Sequence, residues 1–418
     1  MVQWGMNPDA DTLWAAPQWT FAILLAMLGM LGMLGPFSID TYLPAFAGIA
    51  ASLDATPLQM QQTLSAYLFG FAFMSLFHGS ISDSLGRRPV VLWGLAVFTL
   101  ASIGCALSHS IGQLIFFRAL QGLSTGAGIV VSRAIVRDMY PPSQAQKVMS
   151  QVTIFFGAAP AVAPILGGWL FIHVGWHAIF WFLCGVGVVL WLANYRLLPE
   201  TLHLAQRQPF HPKNLLAGYW QLGSDPRFLL LALASGVPFN GMFLYVLSAP
   251  VFLGESLGLQ PQHFFWFFLL TIGGIMVGAW VSGRVAGKLT PARQIRNGFA
   301  IMLGIALVNL GANLLFQADV RWALYPVCIF AFGWAMMVPV VTLLVLDLHP
   351  ERRGMGSSLQ MCIGSTANGL VAGVVSPLVM HSPVALAATS LLLMGIGLSA
   401  WLFVRRRWPD IGQQVVHV

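Results

Sequence analysis

Two charged residues stand where charge is costly. Asp40 follows nineteen residues, Phe21 to Ile39, that carry no charge, and Arg118 sits inside a second apolar run. An ionisable side chain at membrane depth is expensive unless it is paired or wet, so each reads first as a functional group. A carboxylate such as Asp40 can take up and release a proton as a cavity changes sides. The plainer reading of Asp40 is a helix end at the outer interface, helped by Pro44. Arg118 keeps its charge at any physiological pH and must face a cavity or hydrogen-bond its neighbours. It serves proton coupling, or tethers the first, second and fourth apolar segments through Gln121, and the two roles overlap physically.

Other spacings promise chemistry and do not deliver it. Gly122-Leu123-Ser124-Thr125-Gly126 matches GxSxG, but a nucleophile elbow needs a strand, a turn and a helix, and this run lies within one helical segment. Gly283 to Lys288 lacks the Walker spacing and the Ser or Thr after Lys, so no nucleotide site is expected. The ten histidines form no HExxH pair. Cys105, Cys184, Cys328 and Cys362 lie singly in apolar stretches, which suggests neither a disulfide framework nor a metal site. No cofactor or metal is expected.

The elements that must hold Asp40 and Arg118 follow from composition. Of the 418 residues 57% are hydrophobic and only 8% charged, and the mean hydropathy is +0.78. A soluble domain carries roughly 25% charged residues. So few charges exclude a soluble enzyme, a DNA-binding protein and a disordered chain, and leave a protein whose outer surface faces lipid. A spanning helix needs about 20 mostly apolar residues. Twelve segments qualify, near 20–43, 60–80, 90–108, 112–132, 147–171, 176–196, 228–252, 263–283, 296–316, 322–345, 355–378 and 384–404. The N-terminus lacks a basic region and cleavage site, so the first segment is expected to stay as a span.

Lys and Arg orient the spans. With the N-terminus in the cytoplasm, the inner loops hold Arg87, Arg88, Arg133, Arg137, Lys147, Arg196, Arg207, Lys213, Arg227, Arg284, Lys288, Arg293, Arg296, Arg352, Arg353 and Arg405 to Arg407. The outer loops hold only Arg321, and Arg118 falls inside the fourth span. Both termini are therefore expected inside. The net charge of +7 is explained by orientation and anionic lipid, with no nucleic-acid partner.

The longest inner loop, residues 197–227, carries Pro199, Pro209, Pro212 and Pro226 and separates a six-span half, 1–196, from a second, 228–418. The halves echo each other. Gly86-Arg87-Arg88 follows span 2 and Gly287-Lys288 follows span 8, while Tyr42-Leu43-Pro44-Ala45-Phe46 and Ser248-Ala249-Pro250-Val251-Phe252 close spans 1 and 7. Duplicated halves suggest a transporter with its site between them. Gly122/Gly126 and Gly274/Gly278 are small-xxx-small pairs for close helix approach, and Gly35-Pro36 weakens the backbone ladder beside Asp40.

The loop after span 2 reads Gly79-Ser80-Ile81-Ser82-Asp83-Ser84-Leu85-Gly86-Arg87-Arg88-Pro89. It resembles the GxLaDrxGrk signature of the major facilitator superfamily, with Ile81 and Ser84 as departures. Leu114 to Gly122, with Arg118, Gln121 and Gly122, is similar to the family's RxxqG motif, whose Arg is linked to proton transfer in drug/proton antiporters. Ala163-Pro164-Ile165-Leu166-Gly167-Gly168 resembles the antiporter motif GPxxGG, with Ala for its first Gly. Ser38 to Ala45 resembles the span-1 motif of the Bcr/CflA drug-resistance subfamily.

The resemblance implies an all-α membrane protein of the major facilitator fold, with twelve transmembrane helices in two six-helix halves. It implies a multi-pass protein of the bacterial inner membrane that works as a monomer and is not an enzyme. It implies proton-driven efflux of bicyclomycin- or chloramphenicol-type drugs, with Asp40 and Arg118 in proton coupling. Gly79, Asp83, Gly86, Arg87, Arg88 and Asp138 would latch the inner ends, Asp83 meeting Met355-Gly356-Ser357, and Pro164, Gly167 and Gly168 would bring span 5 against the partner half. Substrate walls are expected from Phe37, Tyr42, Tyr67, Phe239, Asn240, Tyr245, Trp266, Trp334, Met336 and Met337. Large, soft, apolar walls suit varied ligands. A physiological permease of narrow range, symporter or metabolite exporter, stays open beside this. With no nucleotide site, uphill movement would draw on an ion gradient.

Overall fold

The computed structural model describes residues 18–208, 212–259, 265–317 and 319–413. Both termini, Pro209 and the start of the eighth apolar segment lie outside the described residues. The described chain is helical, with no strand. Twelve long helices follow the expected spans: α1 Gln18–Asp40, α2 Pro57–Leu85, α3 Arg87–Ala106, α4 Ile111–Met139, α5 Pro142–His173, α6 His177–Leu197, α7 Pro226–Leu247, α8 Phe265–Val285, α9 Pro291–Leu315, α10 Val320–Leu348, α11 Arg353–Leu370 and α12 Pro383–Arg407. By length and composition, ten helices among the described residues are fit to cross a membrane; α1 and α11 complete the set.

Local chemistry explains where these helices begin. Thr56, Asp225, Thr290 and Ser382 each precede a proline at the first helical turn, and each side chain accepts a backbone N–H. Such residues satisfy orphan donors at a helix start, and proline there loses nothing because its N–H would be unpaired anyway. Thr56 and Gln59 form a full capping box. Gly86 ends α2 and begins α3 with φ +106°, a conformation that side chains with a Cβ rarely adopt.

Several helices run longer than the apolar runs suggested: α2 continues to Leu85, and α5 starts at Pro142. α4 continues to Met139 and α10 to Leu348. Many of the cations assigned to inner loops therefore sit on helix ends. Arg133 departs furthest: it lies within α4, about 9 Å short of the helix end at 1.5 Å per residue. The apolar run ends near 132 because the last turns of α4 carry Arg133, Arg137 and Asp138.

Each set of six helices closes around its own buried core. Glycine sets the spacing, and it does so in the same way twice. A Cβ at Gly122 on α4 would strike the carbonyl of Tyr67 on α2. A Cβ at Gly274 or Gly278 on α8 would strike the carbonyls of Cys328 and Phe332 on α10. Lipid offers little hydrophobic drive for helix association, so close backbone contact supplies dispersion instead.

The halves touch along α2 with α11 and along α5 with α8. The helix Pro212–Ser224 of the linker lies beneath this junction. Its Tyr219 hydroxyl donates to the Leu76 carbonyl of α2, while Gly218 packs against Arg352 and Met355.

Replacing Gly278 by Leu should lower thermal stability in detergent by about 1–3 kcal/mol through overpacking, whereas Gly185→Ala, with no atom within 4 Å of the added methyl, should change it little. Paired thermal melts check this.

Candidate functional site

Arg118 is fully buried on α4. Its guanidinium lies over the Tyr67 ring of α2 at 4.4 Å and the Tyr42 ring at 4.6 Å. One N–H donates to Gln121 Oε1 at 2.6 Å, and the Gln121 amide donates to Ser102 of α3 at 2.8 Å. The Tyr42 hydroxyl meets Thr63 on α2 at 2.6 Å. A desolvated cation–π contact is worth about 2 kcal/mol or more. This group thus ties α2, α3 and α4 to the turn that follows α1. Nε and Nη2 of Arg118 have no partner among the described residues.

Asp40 ends α1 and is partly buried, with no hydrogen bond or ion pair among the described residues. It is not bonded to Arg118. The segment before it is held from α2: Tyr67 Oη lies 2.8 Å from Ser38 Oγ and donates to the Gly35 carbonyl at 3.2 Å. The backbone beside it is held from α5. A Cβ at Gly167 would strike the Thr41 carbonyl, and one at Gly168 would sit 3.9 Å from Pro44. This corrects the expectation that Gly167 and Gly168 bring span 5 against the partner half. Gly167 and Gly168 pack on the turn that follows α1 in their own half, because glycine at 167 lets α5 reach backbone there. α5 meets the partner half elsewhere, among other places at Gly157, whose added Cβ would lie 2.9 Å from Ile275.

At the opposite, basic end the halves are bound by charge. Asp83 accepts backbone N–H groups of Gly354 at 3.1 Å and Met355 at 2.8 Å, the first turn of α11. A helix start favours a carboxylate. Arg87, also buried, donates to Asp83 at 2.5 Å and to Asp138 at 3.0 Å. Asp138 receives Arg353 of the other half at 3.0 Å, and Arg137 donates to Asp347 at 2.5 Å. Gly79 and Gly354 meet backbone to backbone, leaving no room for a Cβ on either. Arg88 and Gly86 do not reach the second half: Arg88 donates to the Tyr195 carbonyl of α6 at 2.6 Å, and beside Gly86 Glu200 of the linker accepts the backbone N–H of Arg87 at 2.9 Å.

A second seam is neutral. The Gln146 amide of α5 donates to the Ser282 carbonyl at 2.9 Å and to Gln294 Oε1 at 2.8 Å. Every hydrogen bond between the halves among the described residues lies between this end and mid-bundle; the remaining ones join Ser357 to Val130, and Ser358 to Ser75 and Gly79. The Asp40 end has none.

Above the seams lies a cavity of about 280 Å³, walled by α1, α2, α4, α5, α7, α10 and α11. Of the residues expected there, Tyr67, Phe239 and Trp334 line it. The others go elsewhere. Phe37 packs toward Phe182, and Tyr42 is taken by Arg118 and Thr63. Asn240 is fully buried and its amide donates to the Gly236 carbonyl, while Tyr245 accepts from Asn309. Met336 and Met337 are buried, Met337 in the second core, and Trp266 is half exposed on the outer face.

Sequence reasoning missed Pro36, Phe71, Arg133, Phe156, Gln360 and Asn368, which also line the cavity. Gln360, Gly364 and Asn368 recur every four residues on α11, a polar stripe at helical spacing that was visible in the sequence.

Comparison with known proteins agrees with this geometry. The family model of the Major Facilitator Superfamily matches residues 21–372. A bicyclomycin resistance protein homolog of Haemophilus influenzae is 30% identical over 81% of this chain and 82% of its own. Multidrug resistance protein D of Escherichia coli is 29% identical over 94% of this chain and 98% of its own. Among solved structures, a proton:xylose symporter aligns over 94% of this chain and 96% of that one, with a TM-score of 0.74 at 13% identity, which speaks to the fold alone. Twelve helices in two halves, a cavity between them and these matches together make this multi-pass membrane protein a transporter that belongs to the major facilitator superfamily.

Proposed function

We propose that the protein exports small hydrophobic or amphipathic drugs, of the bicyclomycin or chloramphenicol type, in exchange for protons. The observation that carries this reading is Asp40. It is a carboxylate without a bonded partner, one residue from Ile39 in the cavity wall and one from Thr41, where α5 touches the backbone. The names of the relatives, a bicyclomycin resistance homolog and a multidrug resistance protein, give the substrate class.

The protein sits in the bacterial inner membrane with both termini cytoplasmic and works as a monomer. The basic end then faces the cytoplasm, as the positive-inside rule requires. With that end latched, the cavity is accessible from outside. A proton enters and binds Asp40, the latch opens, and the cavity turns inward. Drug binds there as the proton leaves, and the protein returns loaded with drug. Proton and drug disfavour each other, and that antagonism couples their opposite movement.

Arg118 supports this cycle through Tyr67. That ring stacks on Arg118, and its hydroxyl holds the Gly35–Ser38 stretch that leads to Asp40. A change of charge at Asp40 reaches α4 by this route. Gly79, Asp83, Arg87 and Asp138 act as the latch, with Gly86 and Arg88 setting the start of α3.

In proteoliposomes with an imposed pH gradient, the native chain should move chloramphenicol- or bicyclomycin-type compounds against protons. Asp40→Asn should abolish proton-driven flux while leaving downhill flux; a mutant as proton-driven as native overturns the assignment. If no compound of the panel moves, a narrow-range permease takes its place. Asp83→Asn, whose side chain touches no cavity residue, should slow transport at least about tenfold and tighten apparent drug affinity, because weakening the latch by about 1.4 kcal/mol or more raises the population of the inward-facing state that binds drug. Turnover and equilibrium binding, measured side by side, check this.

A further inference from the structure

Arg133 is the charged residue in the wall of the cavity, and among the described residues no carboxylate, hydrogen-bond acceptor or aromatic ring engages it. The buried cations of the latch at that end are matched: Arg87 and Arg353 with Asp138, and Arg137 with Asp347. Among the described residues no Asp or Glu lines the cavity. The wall around Arg133 is otherwise apolar or neutral, with Phe156, Phe239 and Trp334 across from it on other helices. A guanidinium in such surroundings presents planar donors to a polar group and repels a positive one strongly, because little water screens it.

Two further groups are left open. Gln360 spends its amide N–H groups on Ser235 and Thr342, and its buried Oε1 has no partner. The buried Oδ1 of Asn368, two helical turns along, has none either. Buried polar atoms are nearly always satisfied, so unpaired ones that line a cavity point to a ligand or water that supplies the missing partner.

We propose that Arg133 is the selectivity residue of the cavity: it binds an acceptor group of the substrate, a carbonyl, nitro or carboxylate oxygen, and excludes lipophilic cations. Gln360 and Asn368 accept N–H or O–H groups from the same ligand. The substrate class is therefore neutral or anionic amphipaths with an acceptor-bearing head and an aromatic or aliphatic body. This deepens the drug-export reading and rests on it only for the word substrate, since binding is measured without transport.

The test uses the purified full chain in detergent and three dansyl probes that share one linker and end in a carboxamide, a carboxylate or a trimethylammonium group. The native protein should bind the carboxamide and carboxylate at least about tenfold more tightly than the cation, a factor of ten being about 1.4 kcal/mol. Arg133→Gln should erase that ratio by admitting the cation. Arg133→Lys should keep the cation out but bind the carboxylate less well, since an ammonium lacks the bidentate fork. Retained binding of a common probe shows that each variant is folded. The proposal is overturned if the cation binds the native protein as tightly as the carboxamide, if the ratio survives in Arg133→Gln, or if no probe binds. If the ratio behaves as expected while proteoliposomes show no proton-driven flux, the export cycle fails and the site stands.

Discussion

The carboxylate of Asp83 is the joint on which the arrangement of the two halves depends. It belongs to α2, yet it closes the N-terminus of α11 with two backbone bonds and at the same time holds Arg87. Taking these groups out of water is costly, and the cost is offset only while every partner is present. As the proposed latch, the site would be two-state. Either Asp83, Arg87, Asp138 and Arg353 are assembled and the basic end is shut, or they separate and water must enter to solvate them. Gly79 and Gly354 make assembly possible, because any Cβ between them would hold the halves apart. The second seam, through Gln146, Ser282 and Gln294, is neutral and so adds geometry with little electrostatic penalty on opening. One charged seam and one neutral seam give a junction that is firm when closed and can still part.

The same reasoning applies to the other buried charge. Arg118 has no carboxylate, so its solvation is replaced by two aromatic faces and one amide oxygen. The arrangement draws Tyr42, Tyr67 and Gln121 onto one group and leaves two of its nitrogens without a hydrogen-bond partner among the described residues. Its energetic consequence is local rigidity in α2, α3 and α4 at the end where the halves make no hydrogen bond to each other. A stiff first half beside a separable junction is what rigid-body rocking of the halves requires.

How much of this was legible depends on the kind of interaction. Helix count and order followed from hydropathy, since lipid forces long uncharged runs and leaves little freedom. The Arg87 pairing with Asp138 was also legible, because both lie at helix ends where charge is conspicuous. Which aromatic residues face the cavity was not. Phe37, Tyr42 and Tyr245 are of the same types as Tyr67, Phe239 and Trp334, and in a helix apolar on every side no periodicity separates a lumen face from a core face. Arg133 was misplaced for a related reason. Near the end of a long span a cation reads as a loop residue, and only the length of α4 reveals that it looks into the cavity. On α11 the converse holds: its polar stripe of Gln360 and Asn368 could have been read, because polarity against an apolar background is a signal in itself.

The placement of Asp40 and Arg133 has a consequence for the sign of coupling. Asp40 ends α1 at the open end, while Arg133 lies near the closed end of α4, so ligand and proton need not meet. With Asp40 ionised the pair is neutral overall; with Asp40 protonated the cavity region carries the charge of Arg133 alone. An anion bound at Arg133 would then be favoured by protonation, and by reciprocity would hold the proton in place, which promotes movement of both in one direction. A neutral ligand with a dipolar acceptor feels that change far less, because a dipole's interaction falls off faster with distance than a charge's. For a neutral ligand, competition must arise from conformation instead, the proton and the drug favouring opposite states of the latch. On the proposed coupling through Asp40 and binding at Arg133, exchange thus suits neutral amphipaths, co-movement suits anions, and the charge of the ligand would decide which cycle the same scaffold runs.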